Sequence, residues 1–289
     1  MTKLRGGEGI LAQKQKEYVT LRLLVCPGYL SSEQLRKLAD IAEREGRGKI
    51  IITTRKGVEV PWIRFENAKD VSAELEMAGL PPGSCGRKVR AVVACAGTER
   101  CPYALYNVDE LCTKLTQKYY GRQTPTKFKM SISGCPNSCS NPAINDFGVT
   151  GAMTPRLVEE SCIKCGVCAR LCRGDAITQS EGEAPVIDHD RCIHCGWCIK
   201  NCPSRALVAE RSGFSITVGG KSGRIPELGM KIADVVSEEG LFQILENTFA
   251  YFERYAEGRE RIGKIIRRMG VDHFKGEVLR GVAEDGGDG

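Results

Sequence analysis

Residues 162–172 read CIKCGVCARLC, and residues 192–202 read CIHCGWCIKNC. Each holds four cysteines spaced C-x2-C-x2-C-x3-C: Cys162, Cys165, Cys168 and Cys172, then Cys192, Cys195, Cys198 and Cys202. The second copy lies 30 residues after the first, and the match extends to Gly166 with Gly196 and Ala176 with Ala206. Zinc prefers separate C-x2-C pairs, whereas three thiolates crowded into seven residues can converge on three irons of one cubane. The repeat therefore reads as two iron–sulfur units side by side in a small domain of their own.

The rest of the composition agrees with that chemistry. Fifteen cysteines among 289 residues are many for a reduced protein, but they are odd in number and mostly clustered. That argues against a secreted disulfide framework and for a reducing compartment, here expected to be the cytoplasm. No apolar run approaches the roughly 18 residues a membrane helix needs. Met1–Lys16 is polar and has no apolar signal core, so neither a membrane nor a secretory route is expected. The net charge is +6, yet residues 156–211 carry eight basic and eight acidic side chains. The surplus thus lies outside the cysteine-dense middle. It suits a small anionic ligand and is too dispersed to indicate nucleic acid.

Towards the N-terminus the pattern alternates. Tyr18–Val25 reads as a strand, and Ser31 with Gln34 forms a capping box before a helix through Leu38 and Ala42. Lys49–Thr54 and Val58–Phe65 read as strands, with Pro61 marking an edge or a bulge. A helix through Val71 and Leu75 and a strand at Lys88–Cys95 complete a β-α-β-β-α-β order. The expected class is α+β: a split βαβ, ferredoxin-like half-domain over 1–90, and a second domain over 91–152. Met153–Pro155 reads as a linker into the cysteine repeat at 153–211. The second domain then resumes over 212–275, ending in helices, and 276–289 form a tail.

The repeat resembles the bacterial two-cluster ferredoxins, in which the fourth cysteine of each run reaches the other cluster. That implies one cubane on Cys162, Cys165, Cys168 and Cys202, and another on Cys192, Cys195, Cys198 and Cys172. Pro203 follows the second run as usual, but Arg173 stands where the first would have proline. His194, inside the second run, is read as packing or bonding to a sulfur and takes no ligand role.

Four further cysteines form two pairs, Cys95 and Cys101 within ACAGTERCPYA, and Cys135 and Cys139 within SISGCPNSCSNPA. Both follow expected strands, so the loops can meet at one sheet end and hold a third cubane; four buried free thiols are the other reading. This pattern, together with Thr53-Thr54-Arg55, Phe147–Gly151 and Gly213–Arg224, resembles the siroheme-dependent sulfite and nitrite reductase family. The resemblance implies siroheme and three [4Fe-4S] clusters, with Cys139 shared between the third cluster and the siroheme iron. It implies that Arg55 holds siroheme carboxylates and that Lys127, Lys129, Arg22 and Arg90 bind the substrate anion and assist its reduction. Lysine at position 129 tilts the substrate towards sulfite, with sulfide the expected product. Nitrite reduction and a non-catalytic electron-transfer subunit are the rivals.

Larger members of the family carry two copies of the ferredoxin-like half, so this single copy implies a homo-oligomer. The cysteine repeat lies within the reductase frame, as in dissimilatory-type sulfite reductases, and implies an external one-electron donor protein. Cys26, Cys85 and Cys112 have no partner at ligand spacing. Cys112 is read as helix packing and the other two as structural thiols.

Overall fold

The computed structural model describes residues 9–282, so the AEDGGDG tail expected at the C-terminus lies outside the described residues. The chain divides into two compact units. The first takes residues 9–94, Asp109–Met130 and Ala256–Arg261. The second takes Cys95–Val108, Ser131–Tyr255 and residues 262–282.

In the first unit the order is β1 (Ile10–Ala12), β2 (Tyr18–Leu23), α1 (Ser32–Glu45), β3 (Ile51–Ile52), β4 (Val58–Arg64), α2 (Ala68–Met77) and β5 (Val93–Ala94), followed by α3 (Val108–Tyr119), of which all but the first residue belong here. A four-stranded antiparallel sheet runs β1-β2-β4-β3. Alternate residues of a strand face opposite sides. Val19, Leu21 and Leu23 of β2 therefore join Val60 and Ile63 of β4 in one core with Leu38, Ile41, Val71 and Leu75 of the helices. Arg22 and Glu59 fall on the other side, directly opposite each other in register. The capping box forms as expected: Gln34 N–H donates to Ser31 Oγ at 3.1 Å, and Ser31 N–H donates to Gln34 Oε1 at 3.0 Å.

Two sequence expectations change here. Pro61 lies in an interior strand, and its neighbour Trp62 takes a left-handed φ of 67°. The register with β2 shifts between Val19 and Leu21, so the missing proline N–H is absorbed in a bulge. The strand expected at Lys88–Cys95 shrinks to Val93–Ala94 and does not join this sheet. Residues 88–90 instead pair one group at a time, Val89 N–H with Arg122 O and Arg90 N–H with Phe128 O. The sheet edge beside β2 is taken by β1, through Ile10 opposite Leu21 and Ala12 opposite Val19.

In the second unit β6 (Met130–Ser133, from Ser131 on), β7 (Phe147–Leu157), β10 (Leu207–Val218) and β11 (Met230–Val236) form a sheet in the order β11-β10-β7-β6. Strands β7 and β10 pair from Phe147 opposite Val218 to Leu157 opposite Leu207. The expected linker Met153–Pro155 is therefore continuous strand. Its Pro155 sits where the register skips Glu210, a bulge that spares the ladder a missing donor. The cysteine repeat hangs from the end of this long hairpin, with α4 (Val167–Leu171), a two-stranded ribbon of β8 (Ile177–Thr178) and β9 (Val186–Ile187), and α5 (Trp197–Lys200). Helices α6 (Glu238–Tyr255), α7 (Ile262–Met269) and α8 (Val271–Val278) bury Leu241, Ile244, Leu245, Phe252, Ile265, Ile266 and Phe274. Helix α8 runs three residues into the stretch expected to be tail.

Candidate functional site

Within the first unit, Arg22, Arg55, Arg90, Lys127 and Lys129 line one cavity of about 280 Å³, with Glu59 the only carboxylate among its lining residues. Five elements of sequence converge there. Arg22 projects from β2 on the face away from the hydrophobic core, and Lys127 and Lys129, two residues apart, lead into β6. Arg55 closes the turn after β3, where Thr53 Oγ1 accepts from Gly57 N–H at 3.1 Å. Its guanidinium donates to Ala91 O at 2.8 Å and to Met130 O at 3.2 Å. Such a concentration of fixed positive charge favours an anion and raises its local concentration.

The groups that hold these cations leave no local signal in the sequence. Arg22 donates from Nε to Glu59 Oε1 at 2.8 Å, a cross-strand pair that only the register creates. The loop Gly83-Ser84-Cys85-Gly86 grips both arginines. Arg22 Nη1 lies 3.7 Å from Cys85 Sγ, and Arg90 donates to the carbonyls of Ser84 and Gly86. A Cβ on Gly83 would meet Arg22 Cγ at 2.6 Å, so glycine is what leaves room for that side chain. Cys85, read as a structural thiol, is thus a buried neighbour of the cavity. Burial lowers the Arg90 pKa, with the neighbouring Arg22 charge adding to it and Cys85 opposing it. An arginine starts so high that it stays charged. Its Nε–H is buried without a hydrogen-bond partner, an orphan donor that an anion would satisfy.

Tyr120, just beyond α3, clasps the arginine loop. Its hydroxyl accepts from Ser84 N–H at 2.5 Å and donates to Pro82 O at 2.7 Å. Burial raises the tyrosine pKa, so the hydroxyl keeps its proton at neutral pH and remains a donor. Tyr120→Phe leaves both loop groups without these partners and is expected to cost about 1–3 kcal/mol of stability. Chemical denaturation of the two proteins checks this; equal midpoints and slopes would show that the loop is held without the clasp.

The second unit gathers the other predicted residues. Cys95, Cys101 and Cys139 all act electrostatically on Cys135, whose thiol is pushed up first by burial and then by these neighbours. The two expected pairs therefore meet. Gly134 N–H donates to Cys95 Sγ at 3.2 Å, and Cys139 is exposed. A knot of hydroxyls fixes the loop to β6. Ser131 Oγ donates to Ser140 O at 2.6 Å, and the Ser133 and Ser140 hydroxyls lie 2.6 Å apart. The sequence signal for it was the alternation of Ser131 and Ser133, which puts both hydroxyls on one strand face.

The repeat is visible in the backbone. Lys164 and His194, Gly166 and Gly196, and Asp175 and Arg205 are each 30 residues apart and all have positive φ. The fourth cysteines cross over. Cys202 acts on Cys168 together with Cys165, and these three line one hollow with Cys162. Cys172 acts on Cys192 and Cys198 together with Cys195. His194 bonds through Nδ1 to Thr154 Oγ1 at 3.3 Å, and its backbone N–H, not its ring, meets Cys192 Sγ at 3.4 Å. Among the described residues no three His, Cys, Asp or Glu side chains crowd closely enough to hold a single metal ion. A zinc ion would draw four thiolates to about 2.3 Å from one point, whereas a cubane spreads them round a larger core. The donor sets therefore fit clusters rather than zinc.

Between the two kinds of thiol set lies a small hollow lined by Cys135, Asn137, Cys195, Tyr103, Trp197 and Arg173. The Tyr103 and Trp197 rings stack with centroids 4.6 Å apart. Arg173, the residue standing in place of proline, covers Tyr103 at 5.3 Å and reaches Asn137 Oδ1 at 3.4 Å. It ties the cysteine repeat to the Cys135 loop.

Comparison with known proteins agrees with these sites. Residues 11–78 match the nitrite/sulfite reductase ferredoxin-like half domain, and residues 85–284 match the nitrite and sulphite reductase 4Fe-4S domain. The chain is 36% identical over 253 residues to the coenzyme F420-dependent sulfite reductase of Methanocaldococcus jannaschii, covering 87% of this chain but 40% of that protein. It is 32% identical over 277 residues to an anaerobic sulfite reductase subunit of Salmonella typhimurium, covering 88% of this chain and 81% of the relative. The crystal structure of dissimilatory sulfite reductase I shares the fold, with a TM-score of 0.78 at 21% identity over 99% of this chain and 78% of that chain. NirA of Mycobacterium tuberculosis shares it at a TM-score of 0.66 and 17% identity, over 96% and 45% of the two chains. Two domain matches that between them span nearly the whole chain, and relatives above 30% identity, place this protein in the nitrite and sulfite reductase family.

Proposed function

We propose that the chain reduces sulfite to sulfide, six electrons at a time, using siroheme and three [4Fe-4S] clusters. The observation that carries this reading is the cavity where five cations face one carboxylate and the Arg90 Nε–H waits for an acceptor. Siroheme would supply an iron that passes electrons to a bound anion. Arg55 would meet its carboxylates, and Cys139, whose thiol is exposed beside the other three, would be shared with its iron. Arg22, Arg90, Lys127 and Lys129 would hold the sulfite oxygens. The two lysines would donate hydrogen bonds to oxygens as they gain charge and would relay protons. Glu59 keeps Arg22 oriented.

The remaining thiol sets act as the electron path. Cys162, Cys165, Cys168 and Cys202 would hold one cluster, Cys192, Cys195, Cys198 and Cys172 the next, and Cys95, Cys101, Cys135 and Cys139 the third. The shared hollow of Cys135 and Cys195 supports transfer between the last two. An external one-electron protein would feed the chain. A relative named as one subunit of its enzyme supports work within an assembly, which for a single-copy half-domain we take to be a homo-oligomer.

Iron, acid-labile sulfide and optical spectra of anaerobically purified protein test the reading. Three cubanes and one siroheme imply about 13 irons per chain. About eight irons without siroheme absorption would leave only an electron-transfer protein. Faster turnover of nitrite than of sulfite at matched concentrations would change the substrate and keep the site.

A further inference from the structure

Two cysteines outside all three thiol sets lie side by side. Cys26 follows β2 and Cys112 sits on α3, yet their sulfurs are 3.7 Å apart. Cys26 is half-buried, while Cys112 is fully enclosed. Cys26 Sγ also lies 3.3 Å from the Thr116 hydroxyl, one turn along α3. We propose that Cys26 and Cys112 are a peroxide-sensitive dithiol, Cys26 the attacking sulfur and Cys112 the resolving one, which closes to a disulfide.

The environment divides the two roles. Hydrogen bonds from Cys112, and then from Thr116 and Thr113, hold the Cys26 thiol well below its usual range, against burial and the Asp109 carboxylate. Asp109 is itself engaged by the Tyr29 hydroxyl at 2.8 Å. Cys112 is pushed the other way, because it gives its proton to the Cys26 sulfur and is buried. Thiolate character and access select the first sulfur to react. In the first step the Cys26 thiolate attacks one peroxide oxygen, the O–O bond breaks, and hydroxide leaves and is protonated to water. Cys26 is then a sulfenic acid. In the second step Cys112 attacks that sulfur, the S–O bond breaks, and the Cys112 proton leaves with the oxygen in a second water. Two thiols are oxidised by two electrons and one hydroperoxide is reduced to two waters. The sulfurs need to close by about 1.7 Å to reach the 2.05 Å of a disulfide. The bond would join the strand that carries Arg22 to the helix that leads to Tyr120, so it acts on the two supports of the anion cavity.

The test uses cluster-loaded full-length protein, titrated anaerobically with hydrogen peroxide and quenched by alkylation before peptide mapping. The expected product is a Cys26–Cys112 crosslinked peptide pair, lighter by two hydrogen atoms and reversed by dithiothreitol. It should form while the cluster absorption is intact and while Cys85 is still a free thiol. Cys26→Ser should leave Cys112 unreacted. Cys112→Ser should stop at a sulfenic acid on Cys26 that dimedone traps, and Thr116→Val should slow the crosslink several-fold. Cluster bleaching before any crosslink, or a wild-type Cys26 that accumulates as sulfenic acid beside an unreacted Cys112, would overturn the proposal. None of these readouts depends on sulfite turnover, so they stand or fall apart from the proposed reaction.

Discussion

Lys127→Ala and Lys129→Ala each lower sulfite turnover by about 10²–10³-fold, the usual cost of removing one preorganised donor from a site where negative charge builds up. Breaking S–O bonds places charge on departing oxygens, and the two ammonium groups are carried into the cavity from alternate residues of one extended segment. The loss should appear in kcat more than in KM, because Arg22 and Arg90 still hold the ground-state anion. Cluster and haem spectra should match the wild type, and Arg in place of either lysine should restore binding better than turnover. The remaining field of the cavity is partly exposed to solvent, so the KM of either variant should rise with salt. Wild-type kcat in both variants would show that these lysines do no more than line the cavity.

Cys135→Ser removes turnover with every reductant, while Cys168→Ser separates one reductant from another. Cys135 is buried and feels all three other thiols of its set. Loss of that ligand should take away a whole cubane, lowering iron from about 13 to about nine atoms per chain, or about eight if siroheme goes with it. Cys168 belongs to the set that Cys202 completes, and its cubane would lie at the far end of the electron path. Its loss should depress activity with a protein donor far more than activity with a small reductant that reaches the inner sites directly. Equal losses with both reductants, with siroheme still bound, would remove the relay role. Undiminished activity in Cys135→Ser would remove the third cluster from the mechanism.

What could be read from residue order alone was whatever depends on spacing along a short stretch. The run C-x2-C-x2-C-x3-C bends its thiols inward wherever it occurs, and the duplicated Gly166 and Gly196 mark the same left-handed step in each copy. The Ser31–Gln34 box, the helix through Leu38 and Ile41 and the apolar faces of α6 and α7 follow from contacts three and four residues apart. The approach of Cys95 and Cys101 to Cys135 and Cys139 could be guessed, because both pairs follow strand-like segments. Tertiary structure decided everything that depends on register and on distant segments closing together. It put β1 rather than residues 88–95 at the edge of the first sheet, and it ran Met153–Pro155 as strand against residues 209–212 across the whole cysteine repeat. It set Glu59 opposite Arg22, folded Gly83–Gly86 round two arginines under Tyr120, and brought Cys26 to Cys112 over 86 residues of chain. A one-residue change in strand register turns a side chain to the other face, and no local pattern records which register the packed core selects.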